Sequence, residues 1–337
     1  MKTLYRVGFE EIHKLWTDIS YRPAFNFIYR ISSTGVPVFA TTGSLPEHLL
    51  GTLPELTSTV WKTIRMPSNR KEFIYEVRRV PLASSLTNAI VNYWQEVSKS
   101  YKDQDRCLVF CRTLNDARSL GNALGVPCYH RECLDTTPVD KWRAGENKIL
   151  PTTLKLGCGF HYQHVRDVIH MEISYSMMDQ YQEDSRGGRD GLPCRVITFC
   201  SEGFKKPTCG DYDLGEVALY EWSFESKRCL RISPSNFLDN SPISCSLVSF
   251  ASFCANCNFQ LFNPPPHLPL TFPASSVPMP PLSTTSLSSR FTPIKADGKI
   301  LKAKPIMALK RSVQEDMNPS RKRLRTDMYV FLYTPGI

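Results

Sequence analysis

Residues 182–191, Gln-Glu-Asp-Ser-Arg-Gly-Gly-Arg-Asp-Gly, place Arg186 and Arg189 three positions apart in a glycine-rich turn. Glycine lets backbone approach a ligand closely, and a guanidinium offers a rigid fork of donors suited to phosphate oxygens. The pair fits phosphoryl transfer, where an arginine stabilises charge spreading over a γ-phosphate and contributes a rate factor of about 10³ to 10⁵. The plainer reading of the same residues is exposed surface charge. A second constellation is built on sulfur: Cys229, Cys245, Cys254 and Cys257. Four thiolates complete a closed tetrahedral Zn²⁺ site, and the Cys254-x-x-Cys257 spacing brings two sulfurs from one turn to one ion. Such an ion contributes on the order of 10 kcal/mol to folding a core-poor segment. Free buried thiols are the alternative. Cys158, His161, His164 and His170 also crowd ligand types together, on a loop and a buried strand. Cys111 with His130 lacks the third orienting group and oxyanion site that a nucleophilic pair needs.

The elements that must position these residues follow from hydrophobic pattern. Between about Arg106 and Cys200 short β-rich runs alternate with helical stretches, the habit of a parallel sheet covered by helices, so the fold class is α/β. Strands are predicted at Cys107–Cys111, Gly125–His130, Val165–Met171 and Cys194–Phe199. Upstream, Leu86, Ile90, Val91, Trp94, Val97 and Tyr101 recur at helical spacing after a capping Ser84 or Ser85, giving one apolar stripe for the sheet.

The chain has 337 residues, 42% of them hydrophobic, enough for a sizeable core in one or two domains. Its formal charge of +9 suits a polyanionic partner such as nucleic acid, as it suits many soluble basic proteins. The opening MKTLYRVGFEEIHKLW lacks a secretory apolar run, and no stretch of eighteen apolar residues occurs, so the expectation is a soluble intracellular protein with no membrane partner. Twelve cysteines are then read as reduced thiols, some of them metal ligands. Beyond about Phe262 proline, serine and threonine take over, and a disordered tail is expected. It carries the basic cluster Arg321, Lys322, Arg323 and Arg325, an expected nuclear import signal that is otherwise a solvated charged tail.

Residues 182–191 resemble motif VI of RecQ-family helicases, with Gln182, Arg186 and Arg189 at the family's glutamine and arginine positions. The segment before it resembles motif V, with Thr152, Thr153, Gly157 and Gly159 on the loop and Val-Arg-Asp-Val-Ile-His on the strand. Leu108–Arg112 is similar to motif IV, and Cys128-Tyr129-His130 to the family's tyrosine-histidine strand end. Asn69-Arg70 and Phe73–Val77 resemble the entry to the family's second RecA-like domain. Val38–Ser44, with Thr41 and Thr42, is similar to motif III, and Glu10-Glu11-Ile12-His13 stands at motif II, with glutamate for the first aspartate. Pro151, His161 and Ser185 depart from the pattern at nucleotide-contact positions.

The resemblance covers about residues 9–257. It implies a remnant of a first RecA-like domain over 1–61, a second RecA-like domain over 62–202, a small helical zinc subdomain over 203–262 and the tail over 263–337. It implies ATP-dependent 3′ to 5′ DNA unwinding, with ATP and Mg²⁺ as cofactors beside Zn²⁺ and DNA, single-stranded or at a duplex junction, as partner. Arg189 takes the place of the arginine finger and Arg186 that of a second phosphate contact. Gln182, Glu10, Glu11 and His13 complete the catalytic set. Thr41, Thr42, Arg112, Thr152, Thr153, Gly157 and Gly159 are the implied nucleotide and DNA contacts, and Cys229, Cys245, Cys254 and Cys257 the metal ligands. No Gly-x-x-x-x-Gly-Lys-Ser/Thr loop occurs, so nothing cradles the β- and γ-phosphates. The expectation is therefore a chain inactive alone, completed by a separate chain carrying the first motor domain. A zinc-stabilised DNA-binding or protein adaptor without motor activity is the alternative, and a gene remnant without function the third reading.

Overall fold

The computed structural model describes residues 6–18, 22–153, 160–262 and 328–332. Two parallel sheets carry the architecture. The larger has five strands in the order β4-β8-β7-β5-β6, with β4 at Phe73–Val80, β5 at Arg106–Cys111, β6 at Ile149–Thr152, β7 at Val165–Met171 and β8 at Cys194–Ser201. The smaller has four, in the order β1-β2-β9-β3, with β1 at Val7–Glu10, β2 at Val38–Thr42, β3 at Lys62–Arg65 and β9 at Met328–Leu332. This is the expected α/β arrangement of parallel strands and flanking helices.

The larger sheet is apolar on both faces, because successive side chains of a strand point to opposite sides and both sides are covered. One face presents Cys107, Val109, Ile169, Met171, Ile197 and Phe199. Helices α4 (Leu86–Val97) and α5 (Leu114–Leu124) cover it through Leu86, Ile90, Tyr93, Val97, Ala117 and Leu120. The other presents Phe73, Tyr75, Leu108, Phe110, Leu150, Val168 and Val196 to Trp142 of α6 (Thr137–Ala144) and to Met177 and Tyr181 of α7 (Met177–Asp184). Trp142 is fully buried and donates its indole N–H to the carbonyl of Cys107 at 3.0 Å. The cysteine-bearing module packs on this face too. It comprises α8 (Glu216–Phe224), α9 (Ile232–Asp239) and α10 (Ala255–Phe262).

The smaller sheet is backed by three short helices, α1 (Lys14–Thr17), α2 (Glu47–Leu50) and α3 (Leu53–Thr57), and a 3₁₀ helix at Pro23–Thr34. Its core of Ile12, Leu15, Trp16, Ala40, Leu45, Leu49 and Leu53 also receives Met178 of α7. Helix α7 therefore touches both sheets: Met177 and Tyr181 pack on the larger, Met178 on the smaller.

Five expectations are corrected. Gly125–His130 forms no strand; only an isolated parallel bridge joins Tyr129 to Thr152, since Gly125 in the left-handed region at φ 67° caps α5 and turns the chain. Neither Ser84 nor Ser85 caps α4 through its side chain: a 3₁₀ turn at Ala83–Ser85 leads in, and Leu82 supplies the carbonyl for the N–H of Ser85. The stripe of α4 includes Tyr93, which the spacing argument passed over. Lys62–Arg65 pairs within the smaller sheet, so that sheet extends past Trp61. Within the stretch expected to be a tail, residues 328–332 form a strand.

Candidate functional site where the smaller sheet meets helix α7

The carboxyl ends of β1 and β2 lie side by side, with Glu10 paired to Thr41. Immediately beyond, Glu11 adopts φ 56° and the chain leaves the strand, its next N–H, that of Ile12, donating to the carbonyl of Thr41. This kink swings His13 beneath the strand ends, where it is 1% exposed. His13 Nδ1 lies 2.8 Å from Thr42 Oγ1 and 3.2 Å from the Glu11 carboxylate. Gln182 of α7 arrives from the other side, its amide nitrogen 2.7 Å from His13 Nε2 and 3.5 Å from the Glu11 carboxylate. An amide nitrogen only donates, so Nε2 accepts and the hydrogen sits on Nδ1, directed at Thr42 and Glu11. Burial of Glu11 opposes its charge, but the His13 hydrogen bond and the nearby charges of Arg186 and Lys14 outweigh it and hold its carboxyl below the usual range.

Arg186 and Arg189 follow α7. The turn that carries them bends back to the amino ends of β7 and β8, where the Gly188 N–H donates to the Val165 carbonyl. A Cβ on Gly187 would stand 2.3 Å from Cys194 Sγ, so only glycine fits there. The arginines lie beyond the far end of α7, and it is the carboxyl edge of the smaller sheet, at Glu11, that feels the Arg186 charge. Arg186 is buried and donates to the Phe160 carbonyl at 2.9 Å. Arg189 is partly exposed and donates to the carbonyls of Ser185 and Phe160 and, at 2.8 Å, to Nδ1 of His161. Burial and then the charges of Arg189 and Arg186 push the His161 imidazole below its ordinary value, which keeps it an acceptor.

The turn is tied down from three directions. Asp190 pairs with Arg166 and with His164, and these bonds overcome partial burial to hold its carboxyl at about 2. Arg70 donates to the carbonyls of Gly187 and Gly188 at 3.3 and 2.9 Å. His170 of β7 anchors the helix itself: its ring lies 2.8 Å from Asp184 and 3.2 Å from Glu183, stacked on Phe110. Burial alone would lower the His170 value, yet the bonds to Asp184 and Glu183 raise it to about 9, so an imidazolium is held among carboxylates.

Of the sequence-predicted residues, the structure brings together Glu11, His13, Thr42 and Gln182, with Glu10 and Thr41 adjacent. It does not bring Arg112 or Thr152 to them. Arg112 donates to the carbonyls of Ile173 and Ser174 and stacks on Tyr175; Thr152 is fully buried and donates to the Tyr129 carbonyl, with Thr153 beside it. Gly157, Gly159 and Cys158 lie outside the described residues. His161, His164 and His170 each bind a different partner, and no metal cluster of theirs occurs among the described residues. The anchors Arg70, Asp190 and His170 escaped motif reasoning as site residues, because their partners are set by the register of β7 rather than by any local signature.

Cys229, Cys245, Cys254 and Cys257 converge with their sulfurs within 4.8 Å of one another. Cys229 Sγ is 3.4 Å from Cys245 Sγ and 3.8 Å from Cys254 Sγ, against about 3.8 Å between ligands of a tetrahedral zinc–thiolate centre. Backbone N–H groups of Leu230, Cys245 and Cys254 donate to three of the sulfurs. The hydrogen bonds it shares with Cys245 and then Cys254 pull the Cys229 thiol far below its usual range. The donor set fits a soft divalent ion.

No family model matches the chain. Over 236 residues it is 27% identical to the putative ATP-dependent DNA helicase Q1 of Caenorhabditis briggsae, covering 65% of this chain and 37% of that protein. Over 211 residues it is 32% identical to the ATP-dependent DNA helicase Q1 of Pongo abelii, covering 59% of this chain and 32% of that one. It is also 27% identical over 219 residues to the ATP-dependent DNA helicase hus2/rqh1 of Schizosaccharomyces pombe, covering 59% and 16%. This chain thus spans about a third of the length of the first of these relatives. Among solved structures, Mss116p bound to ssRNA and AMP-PNP matches at TM-score 0.48 and 15% identity, over 59% of this chain and 44% of that one.

Proposed function

We propose that this chain, a relative of the RecQ-type ATP-dependent DNA helicases, supplies the trailing half of such a motor. In this reading it carries the arginine side of the nucleotide cleft, a zinc-stabilised module and DNA-contacting loops. The observation that supports it best is the contact between Gln182 and the His13–Glu11–Thr42 cluster. Motif VI thereby touches the carboxyl edge of a second parallel sheet, where open α/β sheets take their ligands.

On this proposal Arg189 is the arginine finger and Arg186 a second phosphate contact. Arg189 is the more exposed of the two, and a phosphate oxygen, as an anionic acceptor, would compete with the Phe160 carbonyl and His161 for its guanidinium. The residues present do not fit tight ATP–Mg²⁺ binding. Glu10 and Glu11 offer carboxylates, but the sequence has no backbone nest with a lysine for the β- and γ-phosphates. Zn²⁺ would be held by Cys229, Cys245, Cys254 and Cys257, fixing the module that Arg231 joins to β4. DNA would be held through phosphate contacts from loops at the larger sheet's carboxyl edge, including Arg112 and Thr153, while the fully buried Thr152 would only position its loop. The basic cluster Arg321–Arg325 would direct the chain to the nucleus, and a separate chain would supply the missing half of the cleft.

The purified chain is expected to bind DNA weakly, with salt-dependent affinity, and to leave ATP intact. DNA-stimulated ATP hydrolysis that disappears in Arg189→Ala would show that the chain is a motor by itself. The adaptor reading differs in one respect: DNA binding would survive Arg189→Ala and collapse on chelation of the metal.

A further inference from the structure

Strand β9 lies between β2 and β3, parallel to both. On one side Val38 pairs with Met328 through to Thr42 with Leu332; on the other, Lys62 pairs with Tyr329 through to Arg65 with Leu332. Strand β3 has no other strand neighbour among the described residues, and the far edge of β2 is taken by β1. Residues 263–327 separate β9 from the element before it. The sheet is therefore closed by a segment brought from far along the chain.

The sequence of β9 agrees with that place. Met-Tyr-Val-Phe-Leu is an uninterrupted apolar run in a stretch otherwise rich in proline, serine, lysine and arginine, the pattern of an inner strand of a parallel sheet. Strand β3, Lys-Thr-Ile-Arg, is mostly exposed and charged at both ends, the pattern of an edge. Taking β9 away would leave the inner edges of β2 and β3 with unpaired amide and carbonyl groups.

We infer that the gap between β2 and β3 is a strand-acceptor slot filled by the chain's own Met328–Leu332, and that the smaller sheet is one sheet only while that strand is seated. A parallel apolar strand from another chain offers the same hydrogen-bond pattern and would compete for the slot. The inference does not depend on the nucleic-acid reading.

Hydrogen exchange on the full chain tests it. Val330→Pro removes an amide donor in mid-strand. Amides of Val38–Thr42 and Lys62–Arg65 are then expected to exchange about ten-fold faster or more, with β5, β7 and β8 unchanged. Should that variant fail to fold, a chain ending at Arg325 is compared with and without a synthetic peptide of residues 326–337; the peptide is expected to restore protection of β2 and β3 in proportion to its concentration. Protection unchanged in Val330→Pro, or unchanged in the shortened chain and indifferent to peptide, overturns the inference. Protection lost on dilution of the native chain, together with a dimer's mass, would assign the strand to a second copy and overturn it equally.

Discussion

The side-chain amide of Gln182 stands 2.7 Å from Nε2 of His13, a contact spanning 169 positions of sequence and joining α7 to the edge of the smaller sheet. His13 is buried, so an unmade bond here leaves a polar atom without water. A double-mutant cycle of His13→Ala and Gln182→Ala is expected to give a coupling energy of about 1 kcal/mol in urea unfolding, whereas additive effects would show that the two do not interact.

The cysteine module should depend on metal. Arg231, about 1% exposed, donates to the carbonyls of Arg70, Phe73 and Ser252, so the module's order is transmitted to the start of β4. One zinc per chain is expected by elemental analysis. Cys254→Ser should abolish it and lower the melting temperature by roughly ten degrees or more, as loss of a structural ion does in a core-poor segment. A metal-free native protein with an unchanged melting curve would refute the assignment.

His170 gives the fold a pH dependence with a definite sign. Its value in the folded chain is raised to about 9 by Asp184 and Glu183 against the opposing effect of burial, while in the unfolded chain it is ordinary, near 6.5. A raised value means that its stabilisation is complete below about pH 6.5 and is lost as pH climbs through about 9. The contribution is on the order of 3 kcal/mol. His170→Gln should flatten this alkaline limb in unfolding measurements between pH 6.5 and 9; an identical slope in both proteins would rule the imidazolium out. Burial holds Glu183 and Asp184 above the ordinary carboxylate range, and their ionisation weighs against the fold as pH rises from the acid side, below the window in which His170 is read.

Gly187 presses its backbone onto Cys194, 0% exposed at the head of β8. Gly187→Ala is expected to destabilise by about 1–3 kcal/mol through this overpacking. Cys194→Ala in the same chain should recover most of the loss by emptying the space; failure to recover would place the strain elsewhere.

The larger sheet was legible in the sequence where period and composition agreed. Val165–Met171 is a strand with the expected bounds, and Leu86, Ile90 and Val97 bury one face of a helix as their spacing requires. Gly125–His130 was not legible, because a β-rich run whose first residue caps the preceding helix reads like a strand. The cysteine cluster was readable from four residues and one spacing. The edge at which the two arginines stand was not, since the turn after α7 reverses direction and sequence does not tell which sheet's carboxyl edge lies opposite. The pairing of β9 was hidden for a similar reason: five apolar residues in a polar stretch announce a strand but not its neighbours.

If, as proposed, Arg189 belongs to a nucleotide cleft whose other wall carries a phosphate-binding loop, joining this chain to a first motor domain that has the loop should restore DNA-stimulated ATP hydrolysis. Arg189→Ala in the joined protein is then expected to lose about a thousand-fold or more of that hydrolysis, with DNA binding retained. Hydrolysis that is indifferent to Arg189 would contradict the proposal.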